Sequence, residues 1–125
     1  MDTNKSYRAN IFKYVQKTYG TTPEYLWQKY PEYAVLRRMD NRKWYAILMP
    51  VPRNRLGLDG NDVVDVLNIK TDADLYDFLC GEPGFLRGYH MGGKWISVLL
   101  DGTVTTAQIF ALLDNSYKLV GPRSK

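Results

Sequence analysis

The chain has 125 residues, a net charge of +4 and 45% hydrophobic residues, with ten Tyr and three Trp among its aromatics. That is one domain's length with enough apolar material for a packed core, and it excludes a disordered or low-complexity chain. One cysteine, Cys80, and one histidine, His90, exclude an intramolecular disulfide and a Cys-based metal site, so no metal and no cofactor is expected.

Residues Lys5 to Tyr19 read as a first helix, with Tyr7, Ile11, Tyr14, Val15 and Thr18 recurring at three- and four-residue spacings. Gly20 stops it and Pro23 follows. Tyr25 to Pro31 is a connector whose aromatics, Tyr25, Trp27 and Tyr30, are expected over a core edge. Strands follow at Tyr33–Arg38 and Lys43–Val51, reversing at Asp40-Asn41, and at Val63–Lys70 after a hairpin tip around Gly57 and Gly60.

Thr71-Asp72-Ala73-Asp74 begins a second helix, with Thr71 as the cap and the carboxylates at the positive end of its dipole. Leu75, Phe78 and Leu79 are expected to face inward, and Gly81 with Pro83 ends the helix. A second hairpin pairs Phe85–Met91 with Lys94–Leu100 through Gly92-Gly93, a pair suited to a two-residue type I′ turn. Thr105 to Gln108 has capping-box character before a third helix faced by Ile109, Phe110, Leu112 and Leu113, ending near Ser116. The order α-β-β-β-α-β-β-α predicts a single α+β domain over residues 1–125, with an antiparallel sheet of about five strands packed against helices. Met1 to Lys5 lacks the apolar core of a signal peptide, and no run reaches membrane-spanning length. The expectation is a cytoplasmic protein with no membrane partner.

Charge is unevenly placed. Arg37, Arg38, Arg42, Lys43, Arg53 and Arg55 bracket the aromatic and aliphatic run Trp44 to Met49, with Asp40 the one acid among them. From Asp59 to Glu82 the sign inverts, with Asp59, Asp62, Asp65, Asp72, Asp74, Asp77 and Glu82 against Lys70. Much of that acid is explained by helix capping and solvation. Clustered cations on strand ends can bind an anionic polymer, because phosphate neutralisation releases condensed counterions.

Several segments together are similar to one known family. Tyr33-Ala34-Val35-Leu36-Arg37, Asp40 to Ala46, Val51-Pro52-Arg53, Leu56-Gly57-Leu58, Gly88-Tyr89-His90-Met91, Lys94 to Gly102 and Ser116 to Val120 resemble the MmcQ/YjbR family over about Tyr25 to Val120. The resemblance implies helices against an antiparallel sheet, in outline like frataxin, with two hairpins described as a double wing and a DNA-binding role. One departure is that Gly92-Gly93-Lys94 leads directly to Trp95, where the family commonly has Asn-Lys and a spacer. A phosphate contact at that tip would be left to Arg87 and Lys94.

Catalytic readings are weaker. Ser97, His90 and Asp101 can be assembled as a triad only on paper, since nothing in the pattern places a base beside the serine. His90 reads as a strand imidazole bonded to backbone, or as a ligand contact. Cys80 reads as a packed thiol, and no phosphate loop of usual spacing occurs. Of Trp44 and Tyr45, one must point outward, where it could stack on a base or cover an edge.

The expectation is a non-catalytic protein that binds nucleic acid, double-stranded DNA with low sequence specificity. Arg37, Arg38, Arg42, Lys43, Arg53 and Arg55 would contact phosphate, Arg87 and Lys94 would form a second wing, and His90 and Trp95 are candidate ligand contacts. The alternative is a protein-interaction or small-ligand-binding adaptor whose basic face meets an acidic partner.

Overall fold

The computed structural model describes residues 3–122, with side chains from Tyr7 onward. Its elements are α1 (Thr3–Tyr19), β1 (Ala34–Arg37), β2 (Trp44–Pro52), a 3₁₀ turn (Arg53–Leu56), β3 (Val63–Lys70), α2 (Ala73–Leu79), β4 (Phe85–Arg87), β5 (Trp95–Leu99) and α3 (Thr106–Leu119). This is the predicted α+β order. The five strands form one open antiparallel sheet in the order β1-β2-β3-β5-β4. Among the described residues no helix is long and apolar enough to cross a membrane.

The sheet buries apolar side chains on both faces, because its strands alternate between two different covers. Leu36, Leu48, Leu67, Ile69, Ile96 and Val98 face the helices and meet Ile11, Val15, Ile109 and Leu113 there. Val35, Ile47, Met49, Val51, Val64, Val66 and Leu99 point the other way. Among the described residues no helix covers that second face. Side chains of connecting segments lie over it instead: Trp27 and Tyr33, Leu56 and Leu58, and Tyr89 and Met91.

A bulge decides the orientation of the Trp44-Tyr45 pair. Leu36 pairs with Ala46, but Arg37 pairs with Trp44, so Tyr45 is the extra residue. Tyr45 and Ala46 can therefore both enter the helix-side core while Trp44 joins the opposite face. The buried Tyr45 hydroxyl donates to Thr21 Oγ1 at 2.8 Å, and burial pushes its phenol up to about 12.

Three polar anchors fix the helices. Ser116, fully buried on α3, donates to the Tyr45 carbonyl at 2.6 Å and accepts from the Lys70 amide at 2.9 Å, tying α3 to β2 and β3. Asp114 accepts from the Tyr14 hydroxyl at 2.8 Å and from the Tyr19 hydroxyl, tying α3 to α1. Tyr19 stacks on Tyr117 and Tyr14 on Phe110 at ring-centroid distances of 3.7 and 4.0 Å. Thr105 Oγ1 caps α3 by accepting from the Gln108 amide at 3.2 Å.

Four local expectations are corrected. The cap of α2 is Asp72, which accepts from the Leu75 amide at 2.8 Å. Thr71 instead donates to the Lys94 carbonyl. Phe78 points to solvent at 69% exposure while Leu79 is buried, since α2 is a two-turn helix with a narrow inward stripe. Thr18 is exposed, leaving the buried stripe of α1 to Ile11 and Val15. Lastly, α3 runs to Leu119, past the expected end at Ser116.

The Gly92-Gly93 turn is corrected as well. Strand β4 stops at Arg87, paired with Ile96, and a loop of residues 88 to 94 replaces the two-residue reversal. Gly88 opens it with its amide on the Trp95 carbonyl at 2.9 Å. A Cβ at Gly88 would stand 2.8 Å from Trp95 Cβ and 2.9 Å from its carbonyl oxygen, so only glycine fits there.

Candidate nucleic-acid interface

Two reversals lie at the same end of the sheet: residues 38–43 between β1 and β2, and residues 88–94 between β4 and β5. The β2–β3 reversal lies at the opposite end. Of the sequence-predicted cations, Arg37, Arg38, Arg42, Lys43, Arg87 and Lys94 therefore share one rim, about 19 Å wide over four strand spacings. Arg53 stands at the far end of β2, roughly 26 Å away for a nine-residue strand, whereas Arg55, on the 3₁₀ turn, lies beside Tyr33 and shares a cavity wall with Tyr89.

The rim cations differ in how occupied they are. Arg38 forks onto Asp40, with Nε and Nη2 at 2.9 and 2.7 Å, and donates from Nη1 to the Tyr117 carbonyl at 2.9 Å. Its guanidinium also lies 3.9 Å from the Tyr117 ring centroid. The hydrogen bonds from Arg38 hold the Asp40 carboxyl down at about 2. Arg38 thus pins the β1–β2 turn to α3, committing three of its five N–H donors there.

Arg37 has Nε 3.1 Å from Glu24 Oε2 and lies over the Trp44 ring at 5.8 Å. The angle leaves that nitrogen near an opposite charge yet without a proper hydrogen bond. Arg42, at 60% side-chain exposure, reaches the same carboxylate only at 3.9 Å. Among the described residues Lys43, Lys70, Arg87 and Lys94 have no ion pair within 4.0 Å. Lys94 lies 4.7 Å from the Tyr76 ring. At the far end Arg53 is held by Asp62 at 3.1 Å and Asp101 at 3.8 Å.

The loop 88–94 is fixed from below by two fully buried polar residues. Ser97 Oγ donates to Asn68 Oδ1 and accepts from the Tyr89 amide at 2.9 Å, while Asn68 Nδ2 donates to the Tyr89 carbonyl at 2.9 Å. Both backbone groups of Tyr89 are thereby drawn onto the helix-free face, away from strand pairing. His90, next in the chain, is exposed and adopts φ 61°, a left-handed conformation uncommon outside glycine. The strand imidazole expected for His90 is thus corrected to a loop residue whose ring lies against Tyr89 at 4.0 Å. Ser97 has no free hydroxyl, and Asp101 accepts from Thr103 near the other end of β5. The paper triad is dispersed.

Over this face the connector and the loop enclose a cavity of about 240 Å³, lined by Trp27, Tyr33, Trp44, Tyr89, His90 and Met91 above Ile47 and Met49. Trp27 meets Trp44 and Tyr33 edge-on, at interplanar angles of 86° and 74°. Tyr30 stacks on Tyr33 at 4.6 Å. A second cavity of about 310 Å³ shares Tyr30, Tyr33 and Tyr89 with the first and adds Lys29 and Arg55. Burial pushes the Tyr33 phenol up, and the nearby Arg55 partly offsets this. Trp95, expected at the site, lines neither cavity and packs beside Gly88.

Sequence reasoning missed Lys70 as a rim cation, because it followed an apolar strand and preceded an acidic run. It also missed the cavity, whose walls come from three segments far apart in the chain. The available signal was the density of aromatics at Trp27, Tyr30 and Tyr33, more than a core edge needs.

The sequence model of the YjbR family matches residues 16–119, which spans both reversals and the cavity. The chain is 43% identical over 113 residues to the uncharacterized protein YyaQ of Bacillus subtilis (strain 168), covering 90% of this chain and 96% of that one. A crystal structure of a protein from Pseudomonas syringae matches with a TM-score of 0.87 at 40% identity, covering 91% and 98% of the two chains. A solution NMR structure from the same organism matches at 0.80 and 41% identity, covering 90% of each.

Proposed function

We propose that this chain, which belongs to the YjbR family, binds nucleic acid without a chemical step, through the sheet rim that carries both hairpin reversals. The observation that carries this reading is the set of five cations there, Arg42, Lys43, Lys70, Arg87 and Lys94, that are unpaired or only loosely paired. Arg37 and Arg38 serve the fold, and Arg53 is neutralised at the far end. Contacts of this kind give affinity and position without sequence reading, so low specificity is expected on duplex DNA. A soluble compartment containing nucleic acid suits such a role.

Fluorescence anisotropy with a labelled duplex at several salt concentrations tests the reading. Arg42→Glu with Lys43→Glu should weaken binding more than tenfold and flatten the log–log salt dependence by nearly one unit for each lost contact. Wild-type affinity in that variant would overturn it. Salt-dependent capture of an acidic protein, with no retention of DNA, would assign the same rim to an adaptor role.

A further inference from the structure

We infer that the cavity between the aromatic connector and loop 88–94 takes one unstacked nucleobase, so that the protein prefers nucleic acid with an unpaired base. The inference rests on the nucleic-acid reading and adds to it what the aromatic face is for.

Three features point to a flat, uncharged ring. The walls are aromatic and set nearly at right angles, with Trp27 against Trp44 and Tyr33, and the floor is the aliphatic pair Ile47 and Met49. Such a slot offers stacking on one wall and edge contact on another, and aromatic stacking tolerates every base because each has a π-face. A cationic guest is disfavoured, since the Arg37 guanidinium already lies over Trp44 and Arg55 borders Tyr33. A sugar–phosphate attached to the guest would leave the slot toward cations on either side, Arg42 at the rim or Lys29 and Arg55 in the adjoining cavity.

The far wall is built rather than incidental. Asn68 and Ser97, both without solvent exposure, spend their hydrogen bonds on fixing the Tyr89 backbone. The chain then turns through His90 in a left-handed conformation, which costs a non-glycine residue stability and persists where the surroundings enforce it. A glycine would relieve that cost. The imidazole retained there stands at the cavity mouth, exposed and carrying ring nitrogens that can meet a base edge.

Three oligonucleotides of equal length test this on the wild-type protein: a fully paired duplex, the same duplex with one bulged base, and the same bulge with the base removed to leave the sugar. The bulged base should bind about tenfold tighter than either control, and 2-aminopurine at the bulge should lose fluorescence on binding. His90→Gly, which relieves the backbone, should fold at least as well and lose most of that preference while keeping affinity for the paired duplex. Equal affinity for all three oligonucleotides would overturn the inference and leave the nucleic-acid reading in place. No salt-dependent binding of any of the three would overturn both. Displacement of a cavity-bound probe by a proline-rich peptide, but not by a nucleoside, would give the cavity to a peptide and also overturn it.

Discussion

Ser97→Ala is the most informative single perturbation, because one oxygen serves two partners. Its removal leaves Asn68 Oδ1 without its donor and the Tyr89 amide without its acceptor. A buried polar group left unpaired costs about 1–3 kcal/mol. Asn68 has no exposure, so its share applies in full, whereas the half-buried loop lets water meet part of the Tyr89 loss. Together these give about 2–4 kcal/mol, with little cavity term because only a hydroxyl is removed. At ~4 °C per kcal/mol for a chain of this length, Tm should fall by roughly 8–16 °C. Urea unfolding followed by tryptophan fluorescence should show a lower midpoint at an unchanged slope. With Asn68→Ala as the second arm, the double variant should lose at least ~0.5 kcal/mol less than the two singles added together. A loss below about 1 kcal/mol, or strict additivity, would show that these residues do not hold the loop as described.

Two further outcomes test the corrected orientations. Leu79→Ala should cost about 2–5 kcal/mol as a core truncation, whereas Phe78→Ser, at an exposed position beside it, should change stability by less than about 0.5 kcal/mol in the same denaturation assay. Asp40 has a folded value of about 2 against an ordinary 3.8, so the stabilisation it gives is present above pH 3.8 and is lost as pH falls toward 2. Carboxyl NMR should place its titration there in the wild type and near the ordinary value in Arg38→Ala; ordinary titration in the wild type would remove the Arg38 fork from the account.

The element order was legible because each helix and strand carries its own period and its own stops. The core stripe of α3 and the cap at Thr105 followed from spacing alone. What escaped was information held between distant segments. Gly92-Gly93 has the composition of a tight turn, yet the Tyr89 amide finds a better acceptor in Ser97, eight residues on, and the reversal opens into a loop. Arg38 and Lys43 look equivalent in the sequence, and only the approach of Tyr117, 79 residues away, makes one structural and leaves the other to solvent. Arg53 belonged to the same charge run as Arg37, and the nine residues of β2 carry it to the other end of the sheet, while Arg55 turns back beside Tyr33.

The same strand explains why a cavity exists at all. Ile47, Met49 and Val51 make the helix-free face of β2 as apolar as its helix side, and β3 repeats this with Val64 and Val66. An antiparallel sheet with one solvated face would alternate apolar with polar residues, so this pattern commits the chain to a second cover. Three helices are already used on the first side, and the cover comes from connecting segments that leave part of it open. Large aromatic side chains bridge most of that span, since each covers much area with few rotatable bonds. The remaining gap falls where Trp27, Trp44 and Tyr89 meet, next to the rim where the unpaired cations gather. The cavity thus arises from one architectural constraint, a two-sided apolar sheet with the described helices on one side only.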